Sequence, residues 1–196
     1  MRWKDGSGPT NHLIINASTF PLLRETNARE YAPIVSKIVE TPFDELVAMS
    51  NTPAKSLTLI LLLDQLTRNY SRGSPFPFKT CDPISLKLAE HFVLNAGHDK
   101  QHPPYKRIWY YLPFMHCESI AYQELALAKF AETCWELREG EWKDFHDLIK
   151  LGLEASWQHF AIISRFGRYP SRNKALGRES TEDEKKFLEE DGTSFK

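Results

Sequence analysis

Asp64, Gln65, Arg68 and Asn69 come directly after five consecutive apolar residues, Leu59–Leu63. At 3.6 residues per turn Asp64 and Arg68 lie one turn apart on one helix face. A carboxylate and a guanidinium at the end of so apolar a stretch need partners, because burying either alone is costly. They read either as an intrahelical ion pair or as the edge of a polar site. A second group is Pro113-Phe-Met-His116-Cys117-Glu118. An imidazole titrates near neutral pH and a carboxylate can orient it, which is the make-up of a general acid–base pair. On a regular helix His116 and Glu118 would point roughly 160° apart. They converge only if His116 precedes the first regular turn. Otherwise Glu118 is a favourable acidic residue at a helix start, and His116 caps or packs. Gln123 lies five residues beyond Glu118, toward the other side of the helix, and is not grouped with it.

The third group runs from His159 to Arg178 and includes Arg165, Arg168, Arg172 and Asn173. Between Arg165 and Arg178 there are five cationic side chains and no acid. Cations near a helix C-terminus complement its dipole. Gly167, Pro170 and Gly177 nonetheless mark a shaped loop, and guanidinium forks held in a fixed loop suit bidentate binding of carboxylate or phosphate. The competing expectation is that these cations pair with the acidic stretch that follows, Glu179 to Asp191. There is no phosphate-binding glycine loop, no dinucleotide-binding glycine motif and no Gly-x-Ser-x-Gly elbow. Cys81, Cys117 and Cys134 are too scattered for a zinc site by spacing. No cofactor and no metal are expected.

The elements that must position these groups are helices. Gly6, Gly8, Pro9 and Pro21 make residues 1–27 read as an irregular segment, and residues 28–196 as one helical domain. Tyr31, Ile34, Val35, Ile38 and Val39 define the apolar face of a first helix over residues 28–39. Thr41-Pro42 predicts an N-cap and first turn for a short helix to Met49. A largely buried helix follows over residues 54–69, then a loop over residues 71–78. Asp82-Pro83 predicts a cap and a helix that Gly97 ends. A short aromatic helix is expected over residues 105–111, with Pro113 preceding a long helix over residues 116–137. Gly140 separates that from another over residues 141–166. Ser180-Thr-Glu-Asp-Glu184 predicts a capping box for a last helix. The fold class is all-α, with helices joined by short connections and packed as antiparallel neighbours.

Composition limits the options. The chain has 196 residues, 25 basic and 26 acidic, for a net charge of −1. That balance speaks against nucleic-acid binding. No apolar stretch approaches the roughly 20 residues of a membrane span. The first residues show no hydrophobic signal region, and three cysteines suggest no disulfide framework, so a reducing, cytoplasmic setting is expected.

The polar segments together, in this order, resemble a known family. Leu63-Asp64-Gln65-Leu66-Thr67-Arg68-Asn69-Tyr70-Ser71-Arg72-Gly73 is similar to its LDQFPRNxxRG signature. Tyr111 to Gln123 resembles YLPxxHSEDxxxQ, His159 to Asn173 resembles HxxxIxxFGRFPHRN, and Leu176 to Thr181 matches LGREST. This is the DUF924 family, named for its lack of a known function. The resemblance runs from about residue 55 to the C-terminus. Departures are Leu66-Thr67 for Phe-Pro, Cys117 for Ser, Ser119 for Asp and Ser171 for His. The resemblance implies an all-helical, tetratricopeptide-like array and no settled activity.

Two functions follow as expectations. In one, the array gathers His116, Glu118, His159 and Asp64 as acid–base groups. Gln65, Arg68, Asn69, Arg165, Arg168, Arg172, Asn173 and Arg178 then hold a small anionic ligand for a cofactor-independent hydrolase, lyase, isomerase or cyclase reaction. In the other, the chain is an interaction scaffold for an acidic peptide, with no catalysis. Oligomeric state is not legible.

Overall fold

A computed structural model of the chain describes residues 28–190. The irregular segment expected over residues 1–27 lies outside the described residues. Ten α-helices are defined there: α1 (Ala32–Glu40), α2 (Phe43–Met49), α3 (Pro53–Ile60), α4 (Thr67–Tyr70), α5 (Asp82–Glu90), α6 (Pro104–Met115), α7 (Ile120–Glu136), α8 (His146–Phe166), α9 (Asn173–Leu176) and α10 (Glu182–Glu190). Among the described residues there is no strand, so the class is all-α. No helix is long and apolar enough to cross a membrane.

Three π-helical segments break the α pattern: Leu61–Leu66, Pro77–Cys81 and His91–Asn95. The first joins α3 to α4 without an intervening turn. The second runs straight into α5. The expected loop over residues 71–78 is therefore shorter, and Asp82 is not a cap, because helical backbone already precedes it. Thr41 is likewise not the N-cap of α2. Its hydroxyl donates back to the Lys37 carbonyl at 2.8 Å and finishes α1.

Pro113 does not open the helix that follows it. It sits inside the last turn of α6, which continues to Met115. Proline there forfeits one backbone hydrogen bond. Tyr110, Tyr111 and Phe114 are all fully buried, and their packing outweighs that loss. α6 is the centre of the fold, packed by α3, α5, α7 and α8. In the middle of the chain consecutive helices are adjacent in space: α5 packs on α6, α6 on α7 and α7 on α8.

The α7–α8 contact is close because of Gly152. A Cβ placed there would lie 2.8 Å from Cε1 of Phe130, a buried ring that packs edge-on against Tyr111. Overpacking of this kind typically costs about 1–3 kcal/mol. Gly152→Val is thus expected to lower the stability by that amount, read as a lower urea midpoint at an unchanged denaturant slope. A midpoint equal to that of the natural chain would show that the two helices separate freely.

The last described helix starts as its sequence suggests. Thr181 Oγ1 accepts from the Glu184 N–H at 3.2 Å, and Glu184 Oε2 accepts from the Thr181 N–H at 2.8 Å. This reciprocal pair is a capping box and starts α10.

Candidate functional site

The first π segment ends in Asp64, Gln65 and Leu66, and Arg68 follows one turn after Asp64. A π turn holds an extra residue per turn relative to the flanking α geometry, and such turns are frequent at functional sites. The second π segment contacts the first and brings Asp82 to the same place. The turn between α6 and α7 supplies His116 and Glu118. α8 supplies His159. Gly167 ends α8 at φ 68° and Gly177 ends α9 at φ 66°, left-handed conformations that favour glycine. Between them the chain folds back and delivers Tyr169 and Arg172.

Asp64 is the hub. It is 1% exposed, and its two oxygens accept three hydrogen bonds. His116 Nδ1 donates to Oδ1 at 2.8 Å, Arg68 Nη2 to Oδ1 at 3.1 Å, and Gln65 Nε2 to Oδ2 at 2.6 Å. Burial by itself would raise the Asp64 pKa. The His116 ring and the Arg68 guanidinium outweigh it and hold the carboxyl well below the usual carboxylate range.

Arg68 Nη2 also donates to Asp82 Oδ1 at 2.6 Å, and Arg172 Nη1 lies 3.5 Å from Asp82 Oδ2. Arg172 Nη2 donates to the His116 carbonyl at 2.8 Å. Its guanidinium carbon sits 4.8 Å from the Phe78 ring centre and 4.4 Å from that of Tyr169. Two rings thus stack on Arg172 and fix the plane of its fork. Two carboxylates and two guanidiniums cancel in formal charge.

Both histidines stay neutral at pH 7. Burial, then the Arg68 charge, lowers His116. Burial, then His116, pulls His159 down to about 3. The bond to Asp64 places the His116 proton on Nδ1 and leaves Nε2 as the basic nitrogen. Nε2 has no partner among the described residues. The His159 ring centre is 6.1 Å away, and His159 Nδ1 donates to the Ala155 carbonyl at 2.8 Å.

Glu118 does not meet His116. Arg178 grips it with two bonds, Nη1 to Oε2 at 2.7 Å and Nη2 to Oε1 at 3.0 Å. The Tyr169 N–H donates to Glu118 Oε1 at 2.8 Å. Burial would raise the Glu118 pKa, but Arg178 and that N–H bring it below the ordinary value. Glu118 therefore anchors the loop that carries Arg172. Gln123 reaches back from the first turn of α7. Its Nε2 donates to the Met115 and Cys117 carbonyls, both at 2.7 Å, and lies 2.8 Å from Tyr169 Oη.

The remaining residues singled out in the sequence lie apart. Arg168 binds Glu184 through Nε and Nη2 at 2.7 and 2.9 Å, and Asn173 Nδ2 donates to Glu184 Oε2 at 3.2 Å. Arg165 pairs with Asp183 on the surface at 2.8 Å. Asn69 Nδ2 donates to the Gln65 carbonyl one turn back. The structure thus brings together Asp64, Gln65, Arg68, His116, His159 and Arg172. It places Glu118 and Arg178 behind them and uses Arg165, Arg168 and Asn173 to dock α10. Asp82, Gln123 and Tyr169 belong to the assembly although sequence reasoning does not pick them out. Asp82 has the signature of a cap, Gln123 falls on the wrong face by helical arithmetic, and Tyr169 carries no signal beyond its place in the arginine-rich loop. Among the described residues no group of three or more His, Cys, Asp or Glu is placed to hold a metal ion.

The sequence profile of a family described as a bacterial protein of unknown function (DUF924) matches residues 23–192. The chain is also similar to a solved protein of unknown function, ATU0120 from Agrobacterium tumefaciens. The two share 30% sequence identity and a TM-score of 0.70, over 93% of this chain and 90% of that one. No curated protein matches the chain.

Proposed function

The chain belongs to the DUF924 family, and from that premise we propose that it is a cofactor-independent acid–base enzyme acting on a small carboxylate- or phosphate-bearing molecule. The observation that carries this reading is the Asp64–His116 pair. A buried carboxylate bonded at 2.8 Å to Nδ1 fixes the ring and its tautomer, and the opposite nitrogen is left without a partner among the described residues. That is how an imidazole is prepared as general base, with the carboxylate stabilising the imidazolium once the proton arrives. Arg172 is the anion-holding group. Its carboxylate contact, 3.5 Å to Asp82, is long beside the 2.6 Å contact of Arg68, so its fork keeps donor capacity for a second anion. His116 Nε2 abstracts a proton from the bound molecule and returns it, and the reaction classes open to such a site are hydrolysis, lysis, isomerisation and cyclisation. The stacking of α5, α6, α7 and α8 in chain order supports a tetratricopeptide-like array around it.

A second reading, an interaction module without catalysis, is favoured by Trp135 and Trp157, which are 68% and 56% exposed on α7 and α8. One screen separates the two. Thermal shifts are measured with carboxylates and phosphate esters, beside acidic peptides. A ligand at 100 times its Kd stabilises by about 2.7 kcal/mol, a rise of roughly 5–10 °C for a domain of this size. A small-molecule shift that Arg172→Ala abolishes, with turnover that His116→Gln abolishes, is the expected result. Shifts from acidic peptides alone would overturn the enzyme reading in favour of the module, and a flat screen would overturn both.

A further inference from the structure

Away from this site, the end of α7 and the start of α8 bring a thiol, an imidazole and a carboxylate into line. Cys134 Sγ lies 3.5 Å from His146 Nε2, and His146 Nδ1 lies 3.5 Å from Asp147 Oδ1. Cys134 stands in the last turn of α7, and His146 and Asp147 are the first two residues of α8. The connection between the helices, with the short helical turn Lys143–Phe145, folds so that the imidazole returns onto the sulfur. We infer that Cys134 is the reactive thiol of this protein, deprotonated by His146 for attack on a soft electrophile of the hydroperoxide class.

The arrangement has the parts that activation of a thiol requires. The thiolate is the nucleophile, and a neighbouring imidazole is a usual means of generating it. Asp147 beside Nδ1 favours the tautomer with the proton on that nitrogen, which leaves Nε2 to accept the thiol proton. Asp147 is 96% exposed, so its contribution is screened, and the thiol–imidazole contact carries the chemistry. Cys134 is half-buried and His146 is 31% exposed, so small reagents can reach them. The other two thiols are placed differently. Cys81 is fully buried, and its burial, with Asp82 beside it, pushes its pKa up to about 12. Cys117 is also raised by burial, and no imidazole is bonded to it among the described residues.

The step balances. The Cys134 proton passes to His146 Nε2. The thiolate attacks one peroxide oxygen, an S–O bond forms and the O–O bond breaks. The departing oxygen takes the proton from His146 and leaves as water or an alcohol. The sulfur is oxidised by two electrons to a sulfenic acid and the peroxide is reduced by two.

The test uses the native full chain. Iodoacetamide is applied at pH 7 and each cysteine is followed by mass spectrometry. Cys134 is expected to react roughly tenfold faster than Cys117, and His146→Gln and His146→Asn each to slow it about tenfold at that pH. Urea midpoints of both variants equal to that of the natural chain confirm that the loss is chemical. Hydrogen peroxide followed by dimedone is expected to place the adduct on Cys134, and Cys134→Ser to remove it. Cys117 reacting as fast as Cys134, an unchanged rate in both His146 variants, or no dimedone adduct on Cys134 would each overturn the inference.

Discussion

Asp64→Ala is expected to cost the fold roughly 3–5 kcal/mol, the range seen when one partner of a buried ion pair is removed. The carboxylate is 1% exposed and satisfies three donors at once. Its loss strips His116 Nδ1 and the Gln65 amide of their acceptor, and leaves Arg68 with Asp82 alone. A domain with a total of about 5–15 kcal/mol cannot absorb this unnoticed. Asp64→Asn keeps the volume but turns NH2 hydrogens toward donors and leaves the cluster with an excess positive charge, so it too is expected to destabilise. The measurement is the urea midpoint at pH 7, with a double-mutant cycle to His116→Ala to extract the coupling. A loss below about 1 kcal/mol for Asp64→Ala would show that solvent replaces the carboxylate and that the network is not structural.

Acid is expected to weaken the protein well above the range in which carboxylates titrate. The His159 pKa lies near 3 in the fold, below its ordinary value of 6.5. The unfolded chain therefore takes up the proton first. The stability contributed by the neutral ring is complete above about pH 6.5 and is lost progressively as pH falls toward 3. Each unit of separation is worth about 1.4 kcal/mol, so the loss across the window amounts to roughly several kcal/mol. His116 and His98 are lowered as well and act in the same direction. Asp64, Glu118 and Glu184 are shifted down from ordinary carboxylate values, so their contributions disappear only at lower pH. Urea midpoints taken at half-unit steps from pH 7.5 to 5 should decline for the natural chain, and less steeply for His159→Gln. Equal slopes in the two would remove His159 as the cause.

Residues whose effect is local are legible in the sequence alone. Thr181 and Glu184 announce their capping box, Gly140 divides two helices, and Gly97, Gly167 and Gly177 mark turns where φ is positive. The three polar segments also stand out by residue type, and six of their members converge. What is not legible depends on partners far along the chain. Whether Arg168 waits for a ligand or holds Glu184 is decided by where α10 docks, which no spacing reveals. The π segments hide a second kind of information. Each interrupts the 3.6-residue period and so rotates the faces of the flanking helices relative to that period, although the local Asp64–Arg68 pair survives. Asp82 accordingly has the local signature of a cap and the tertiary role of a bridge between Arg68 and Arg172. Pro113 departs from expectation for a related reason. Its rule is local, whereas the burial of Tyr110, Tyr111 and Phe114 that overrides it is tertiary.

Arg172 reaches the carbonyl of His116 across 56 positions of sequence, and His116 reaches Asp64 across 52. On the ribosome those separations become time. At about 5–20 residues per second, roughly 3–11 s pass between the synthesis of His116 and that of Arg172. Throughout that interval Asp64, Arg68 and Asp82 can form their pairs, while Glu118 has no arginine and the ring of Phe78 lacks the guanidinium it will clamp. A nascent chain stalled before its arginine-rich loop is thus a nearly complete helical body with an unfinished polar seam until the last segment closes it.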